Sequence, residues 1–137
     1  MSIDEKFERL EDAILRDNES DSQAAIFDFG AITNDWAKIP DEVVERLLRL
    51  LSSQEMYKSP CSGHVLNFFE SESRYLTDRQ KWLCIVFLNE NGDKFSDLHS
   101  QQVVTELRYG RYQDYLKMQR PSPQQWKDYQ KMRGELE

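Results

Sequence analysis

Apolar residues recur every three or four positions along almost the whole chain, and this spacing is the feature that most restricts its fold. The clearest example is DEVVERLLRLLSS, residues 41–53, in which Val44, Leu47, Leu48 and Leu51 fall on one side of a helix. An apolar stripe of this kind has to be buried against another apolar surface. We find no segment with the apolar–polar alternation of a half-buried strand. The sequence therefore predicts an all-α protein.

Several segments also carry the residues expected at helix ends. Ser2 and Glu5 have the spacing of a capping box, and Thr77 and Gln80 repeat it. Gly92 follows an apolar segment and is expected to end that helix in the left-handed conformation. We expect about six to eight helices packed as antiparallel hairpin layers, either HEAT-like or as an irregular bundle.

The second helix has a less defined start. Asp21 or Ser22 is expected to cap a short helix that carries Ala25, Ile26 and Phe29.

The length of 137 residues predicts a single helical domain over residues 1–137. Residues 111–137 could form a separate helical tail that is rich in aromatic side chains. The aromatic residues of this end alternate with Arg and Lys, and they are Tyr109, Tyr112, Tyr115, Trp126 and Tyr129. Packing against the helices is the favoured interpretation, while a protein interface and stacking on nucleotides remain alternatives.

The chain lacks the features of a secreted or membrane protein. Its longest apolar run, WLCIVFL at residues 82–88, is far shorter than the roughly 18 residues that a membrane span needs. No basic segment followed by an apolar one opens the sequence. We therefore expect a cytoplasmic protein without membrane contact. Cys61 and Cys84 lie in apolar runs and are expected to be buried thiols rather than a disulfide or zinc ligands.

The segment FLNENGDKFSDLHS, residues 87–100, contains Asn, Gly and Asp residues in an order that is similar to a calcium-binding loop. If Gly92 took the sixth position of an EF-hand loop, Phe87 and Leu98 would take the first and twelfth positions. Both positions need an oxygen ligand, and both residues are apolar. The segment is therefore interpreted as a connection between two helices, and no metal site is expected.

Neither histidine lies in a catalytic motif. His64 and His99 show no H-x-x-x-H or H-E-x-x-H spacing, and the sequence has no G-x-G-x-x-G or P-loop pattern. We expect a protein that is not an enzyme and has no cofactor. A small hydrolase that uses His64 or His99 with nearby carboxylates is the rival hypothesis.

Negative charge is concentrated at the N-terminal end. Residues 1–45 hold 13 acidic and 4 basic residues, whereas the rest of the chain holds 12 acidic and 14 basic ones. Such a one-sided charge accelerates encounter with a basic protein and is unsuited to binding nucleic acid directly. An ordinary solvated face is the alternative. The residues predicted to bind the partner are Glu8, Glu11, Asp12, Asp17, Glu19, Asp21, Asp28 and Asp35.

Three segments together resemble small all-helical immunity proteins of bacterial contact-dependent growth inhibition and related toxin systems. They lie within about residues 25–112 and read FGAITNDWAKIPDEVVERLLRLLSS, SPCSGHVLNFFESESRYLTDRQKWLCIVFL and FSDLHSQQVVTELRYGRY. The resemblance implies a cytoplasmic inhibitor that binds one cognate toxin domain, commonly a nuclease, and blocks its active site or substrate surface.

Other partners are consistent with the same features. An acidic regulatory adaptor, or a DNA-mimicking protein that sequesters a DNA-binding protein, is the alternative to an immunity protein. The sequence leaves open the identity and activity of the toxin, and whether the acidic residues or the aromatic tail form the interface. It also leaves open whether the protein is a monomer or a dimer.

Overall fold

Seven α-helices are found in the computed structural model, which describes residues 2–53, 56, 59–95, 97–109 and 123–136. No strand occurs in these residues, so the predicted all-α class with six to eight helices is confirmed. The helices are α1 (Ile3–Leu15), α2 (Glu19–Phe27), α3 (Asp41–Leu51), α4 (Cys61–Ser71), α5 (Asp78–Asn91), α6 (Asp97–Tyr109) and α7 (Pro123–Leu136). Short 3-10 helices follow α4 at Ser73–Tyr75 and α5 at Gly92–Lys94.

The helices pack as two hairpins joined by α4. Helices α1 and α2 form the first hairpin, and α5 and α6 form the second. Helix α4 packs against α2 on one side and α6 on the other. Helix α3 lies against α4 and α5, and α7 packs on α5. Helix α5 is therefore central, and its residues 82–88 are all buried, as expected for a segment that is apolar on every side.

The predicted capping signals define two of the helix starts. Ser2 Oγ accepts a hydrogen bond from the Glu5 amide at 3.2 Å at the start of α1. At the start of α5, Thr77 Oγ1 accepts from the Gln80 amide at 3.1 Å, and Gln80 Oε1 accepts from the Thr77 amide at 2.9 Å. These bonds satisfy amides that have no partner within their own helix, so both predicted starts are confirmed.

Two predictions about helix ends were wrong. Helix α2 starts at Glu19 and is capped by Asn18, whose Oδ1 accepts from the Asp21 amide at 3.0 Å, rather than by Asp21 or Ser22. Gly92 has φ −61°, which is right-handed rather than left-handed. Gly92 is needed for close packing instead, because a Cβ atom there would lie 2.9 Å from Ser100 Oγ on α6.

The apolar stripes predicted from the sequence form the core. The four inward residues of α3, which are Val44, Leu47, Leu48 and Leu51, have no exposed surface. Cys61 and Cys84 are free, buried thiols, as expected. Burial raises the pKa of the Cys84 thiol far above its ordinary value, which keeps it protonated and unreactive.

Helix α7 contributes to this same core. Tyr129 and Met132 are 4% and 2% exposed, and the Tyr129 hydroxyl donates to Glu90 Oε2 on α5 at 2.5 Å. Packing is therefore the observed role of Tyr129, one of the five aromatic residues singled out above. Residues 110–122, with Tyr112 and Tyr115, and the side chains of Tyr109 and Trp126 lie outside the described residues. The described helices include none that is long and apolar enough to cross a membrane.

Candidate functional site

The hairpin of α1 and α2, with the loop that follows it, carries all eight acidic residues predicted to bind a partner. Seven of them are exposed and one, Asp28, is half-buried. We call this set the acidic face, and it consists of Glu8, Glu11, Asp12, Asp17, Glu19, Asp21, Asp28 and Asp35. The packing of α1 against α2 therefore brings residues 27 positions apart in sequence onto one part of the protein.

Two arginines neutralise part of the acidic face. Arg9 Nη1 lies 2.6 Å from Asp28 Oδ2, which links α1 to the end of α2. Arg16 contacts Asp12 at 3.0 Å and Asp21 at 3.2 Å. Each of these pairs is substantially exposed, so it contributes little to stability. The pairing nevertheless reduces the net negative charge of the acidic face.

The remaining charge of the acidic face is concentrated on residues without a basic partner. Within the described part of the chain, Glu8, Glu11, Asp17 and Asp35 form no ion pair. Asp17 and Asp35 have φ of 52° and 55°, a left-handed conformation that Asp tolerates better than most residues. The backbone conformation therefore favours Asp at positions 17 and 35. Glu8 and Glu11 are exposed on α1, and the helix does not require an acidic residue at either position.

The loop after α2 is held in place from α1. Asn34 Nδ2 donates to the carbonyl oxygens of Asp28 and Gly30, both at 2.8 Å, and Asn34 Oδ1 accepts from Lys6 Nζ. Lys6 is 9% exposed and its Nζ lies 5.4 Å from the centre of the Trp36 ring. The loop therefore has a defined shape.

A groove of about 320 Å³ runs between α2 and α4, beside the acidic face. We call it the α2–α4 groove. Helix α2 lines it with Gln23, Ile26 and Phe27, and helix α4 lines it with residues one turn apart, which include His64 and Phe68. The lining is completed by Gly30, Ile32, Asn67, Ser71, Glu72, Arg74 and Tyr75.

The rim of the α2–α4 groove exposes unusually large apolar side chains. Phe27 is 72% exposed and Ile32 is 76% exposed; among the described residues, Leu15 is the other large apolar side chain of this kind. Two exposed apolar residues at one groove form a surface that a partner protein can cover with a gain in free energy.

One end of the α2–α4 groove is formed by Glu72. A Cβ atom on Gly30 would lie 2.8 Å from Glu72 Oε1, so the carboxylate fits there because residue 30 has no side chain. The Ala31 amide donates a hydrogen bond to this carboxylate. Burial raises the pKa of Glu72, although the Ala31 hydrogen bond and the charge of Arg74 oppose this shift. The described side chains form no ion pair with Glu72.

The other end of the α2–α4 groove joins the acidic face. His64 Nε2 lies 3.0 Å from Glu19 Oε1, which connects α4 to the start of α2. On the far side of α4, His99 Nε2 lies 3.9 Å from Glu70 Oε2. No described Ser, Thr or Cys side chain forms a hydrogen bond with either histidine. Both histidine–glutamate pairs are thus observed as contacts between helices.

Sequence reasoning did not identify Phe27, Ile32 or Glu72 as site residues. A signal existed for Phe27, because it lies outside the apolar stripe of Ala25, Ile26 and Phe29 and is still apolar. Glu72 gave no such signal, since its environment is created by residues 30 and 31, which are distant in sequence.

A second, more polar cleft of about 560 Å³ lies between α5 and α6, lined in part by Asn89, Asp93 and Gln101. No group of three or more His, Cys, Asp or Glu side chains suited to a metal ion occurs in the part of the chain that the structure describes. Comparisons with protein-family models, curated proteins and solved structures gave no significant match to this chain.

Proposed function

We propose that this protein is an immunity protein, which binds a cognate bacterial toxin domain of basic, nuclease-like character and neutralises it through the acidic face. The observation that carries the proposal is the set of exposed carboxylates without a basic partner on α1 and in the loops before and after α2. The resemblance of residues 25–112 to immunity proteins supplies the biological setting.

The chemistry of such an inhibitor follows from charge. A nuclease binds phosphates with Lys and Arg, and an acidic surface of similar extent can cover those groups. Charge complementarity mainly accelerates association, while the apolar contacts of an interface slow dissociation. Carboxylates that already contact Arg9 or Arg16 contribute less to this attraction than Glu8 and Glu11, whose charge is uncompensated.

The first experiment tests rescue. The C-terminal portion of the reading frame immediately upstream is expressed in a bacterial host with and without this protein, and survivors are counted. We expect the fragment to kill the host and this protein alone to restore survival. If the fragment is harmless, or if it kills in both cases, the immunity hypothesis is wrong and a regulatory adaptor or DNA-mimicking protein takes its place.

The second experiment assigns the interface. The double variant Glu8→Lys/Glu11→Lys changes the net charge by +4 at exposed helical positions, and Asp17→Asn/Asp35→Asn is then added. Asn is chosen at these two positions because it tolerates a positive φ, whereas Lys would introduce strain. We expect toxin binding to weaken by about tenfold or more in the double variant, mainly because association becomes slower. The loss of affinity should be smaller at high salt, because salt screens the charges.

A control variant carries the same change of net charge elsewhere. Four exposed neutral residues on α5, α6 and α7 become Lys, namely Asn89, Gln101, Gln102 and Gln130. This variant should bind nearly as well as the wild-type protein. Equal weakening in both variants would mean that total charge matters rather than the acidic face, and unchanged binding in the fourfold acidic variant would reject the acidic face as the interface.

A further inference from the structure

We propose that the α2–α4 groove receives one arginine side chain of the protein partner, with its guanidinium group against Glu72 and apolar neighbours of that arginine on Phe27 and Ile32. This inference rests on the proposed function, because it assigns the place where a basic partner inserts a specific residue. It concerns the groove rather than the acidic face, and none of the residues just named belongs to the eight predicted from the sequence.

The walls of the groove suit the stem of an arginine. Ile26 and Phe68 present apolar surface from opposite helices, and both are buried. The three methylene groups of arginine can lie along such surface while the guanidinium group remains near polar atoms. A small anion or a short polar side chain would leave these walls uncovered.

The carboxylate of Glu72 suits the guanidinium group. It is partly buried, it is held by the Ala31 amide, and among the described residues it has no ion-pair partner. A carboxylate in this state has lost water without gaining a cation in direct contact, because Arg74 acts on it only through its charge. An arginine can replace the lost water with two parallel hydrogen bonds, and it is more weakly hydrated than lysine, so it loses less on entering the groove.

Two basic side chains line the groove, His64 and Arg74, and each has a contact within the protein. His64 contacts Glu19, and the Arg74 guanidinium lies 5.2 Å from the centre of the Tyr75 ring. The carboxylates near the groove include Glu19 at one end and Asp35 in the loop that carries Ile32. With Glu72, these carboxylates outnumber Arg74, so the surrounding charge favours a cationic occupant over an anionic one.

The test uses a peptide rather than the unidentified partner. The ¹⁵N-labelled protein is titrated with acetyl-Leu-Arg-Leu-amide and with its citrulline twin, which has the same shape but no charge, and amide chemical shifts are recorded by NMR. We expect the arginine peptide to shift the amides of Gly30, Ala31 and Glu72, and to bind roughly tenfold or more tightly than the citrulline peptide.

Two variants locate the binding. Glu72→Gln removes the negative charge of Glu72 from the groove, whereas Glu11→Gln removes one charge from the acidic face outside the groove. We expect the first variant to lose the preference for arginine and the second to keep it. Gly30→Ala places a methyl group against Glu72 Oε1 and should weaken binding in the same way as Glu72→Gln.

Several results would overturn the inference. These are an absence of localised shifts at millimolar peptide, equal binding of the citrulline peptide, and retained arginine preference in Glu72→Gln. Self-association in sedimentation that Phe27→Ser abolishes would also overturn it, because the groove would then be covered by a second copy. Arginine binding without toxin rescue would reject only the immunity hypothesis, and rescue without arginine binding would reject only the assignment of the groove.

Discussion

Gly30 and Glu72 approach so closely across the α2–α4 groove that a Cβ atom on Gly30 would lie 2.8 Å from Glu72 Oε1 and 3.3 Å from the Phe27 carbonyl oxygen. The absence of a side chain at residue 30 therefore determines where the carboxylate lies. Because this place is partly shielded from water, the neutral form of Glu72 is favoured and its pKa is raised.

This contact predicts a pH-dependent effect of Glu72→Gln on stability. A carboxyl group with a raised pKa in the folded protein destabilises the fold once it is charged, and this cost disappears below its ordinary pKa. Glu72→Gln should therefore raise Tm at about pH 7, by less than about 4 °C because the group remains partly exposed. The difference should shrink as the pH falls through the raised pKa of folded Glu72 and should vanish below about pH 4, where the unfolded chain also becomes protonated at this residue.

Thermal unfolding followed by circular dichroism at several pH values provides the measurement. Glu11→Gln is the matched control, since Glu11 is exposed and forms no ion pair among the described residues. If Glu72→Gln lowers Tm at neutral pH, the carboxylate is stabilised by its surroundings and the interpretation of its burial is wrong.

Gly92 and Gly63 are predicted to respond in opposite ways to substitution by Ala. A Cβ atom on Gly92 would lie 2.9 Å from Ser100 Oγ and 3.3 Å from Ser100 Cβ, and Ser100 is buried. Gly92→Ala should therefore destabilise the protein by about 1–3 kcal/mol. Gly63, inside α4, has its nearest neighbour, His99 Nδ1, at 3.9 Å, so Gly63→Ala should be neutral or stabilise by up to about 1 kcal/mol.

Urea unfolding of both variants measures these free energies. A loss of stability in Gly63→Ala similar to that in Gly92→Ala would show that the close approach of α5 and α6 is not the cause.

Ser2 and Thr77 contact residues close in sequence, whereas Glu72 contacts residues distant in sequence, and this difference explains how much the sequence could predict. A capping residue and its amide are three positions apart, so local spacing is enough to place the start of α1 and of α5. Periodicity likewise predicted the buried stripe of α3, because it reports which side of a helix is apolar.

The rest depended on contacts between distant segments. Gly92 was interpreted as a left-handed helix end because that is the common local reason for a glycine, whereas its real cause is Ser100 on the next helix. The acidic residues could be recognised as a group from composition, but the arginines that neutralise some of them could not be assigned without the packing of α1 on α2.

The hydrogen bonds of the Gln80 side chain predict that its substitution lowers stability. Its Nε2 donates to the Ile39 carbonyl oxygen at 2.6 Å and to Asp41 Oδ1 at 2.8 Å, in addition to the capping bond of its Oε1 with the Thr77 amide. Gln80→Leu keeps a similar volume but leaves these groups without their partner, so it should destabilise the protein by about 1–3 kcal/mol.

The same urea assay tests this expectation, with Gln101→Leu as the control because Gln101 is exposed on α6. The control should change the free energy of unfolding by less than about 0.5 kcal/mol. An effect of Gln80→Leu within this range would mean that the link between the starts of α3 and α5 contributes nothing measurable.

The last prediction concerns residues 111–137, for which a separate tail was one interpretation. Tyr129 is 4% exposed and bonds to Glu90, and Arg79 Nε on α5 lies 3.3 Å from Asp128 Oδ2. If α7 belongs to the core, Tyr129→Ala should destabilise the whole protein by about 3–5 kcal/mol, and Tyr129→Phe by about 1 kcal/mol. Gln130→Ala, at the exposed neighbouring position, should have almost no effect. Unfolding followed by the fluorescence of the protein's tryptophans should remain a single transition in all three variants, whereas an unchanged midpoint in Tyr129→Ala would show that α7 folds independently of the other helices.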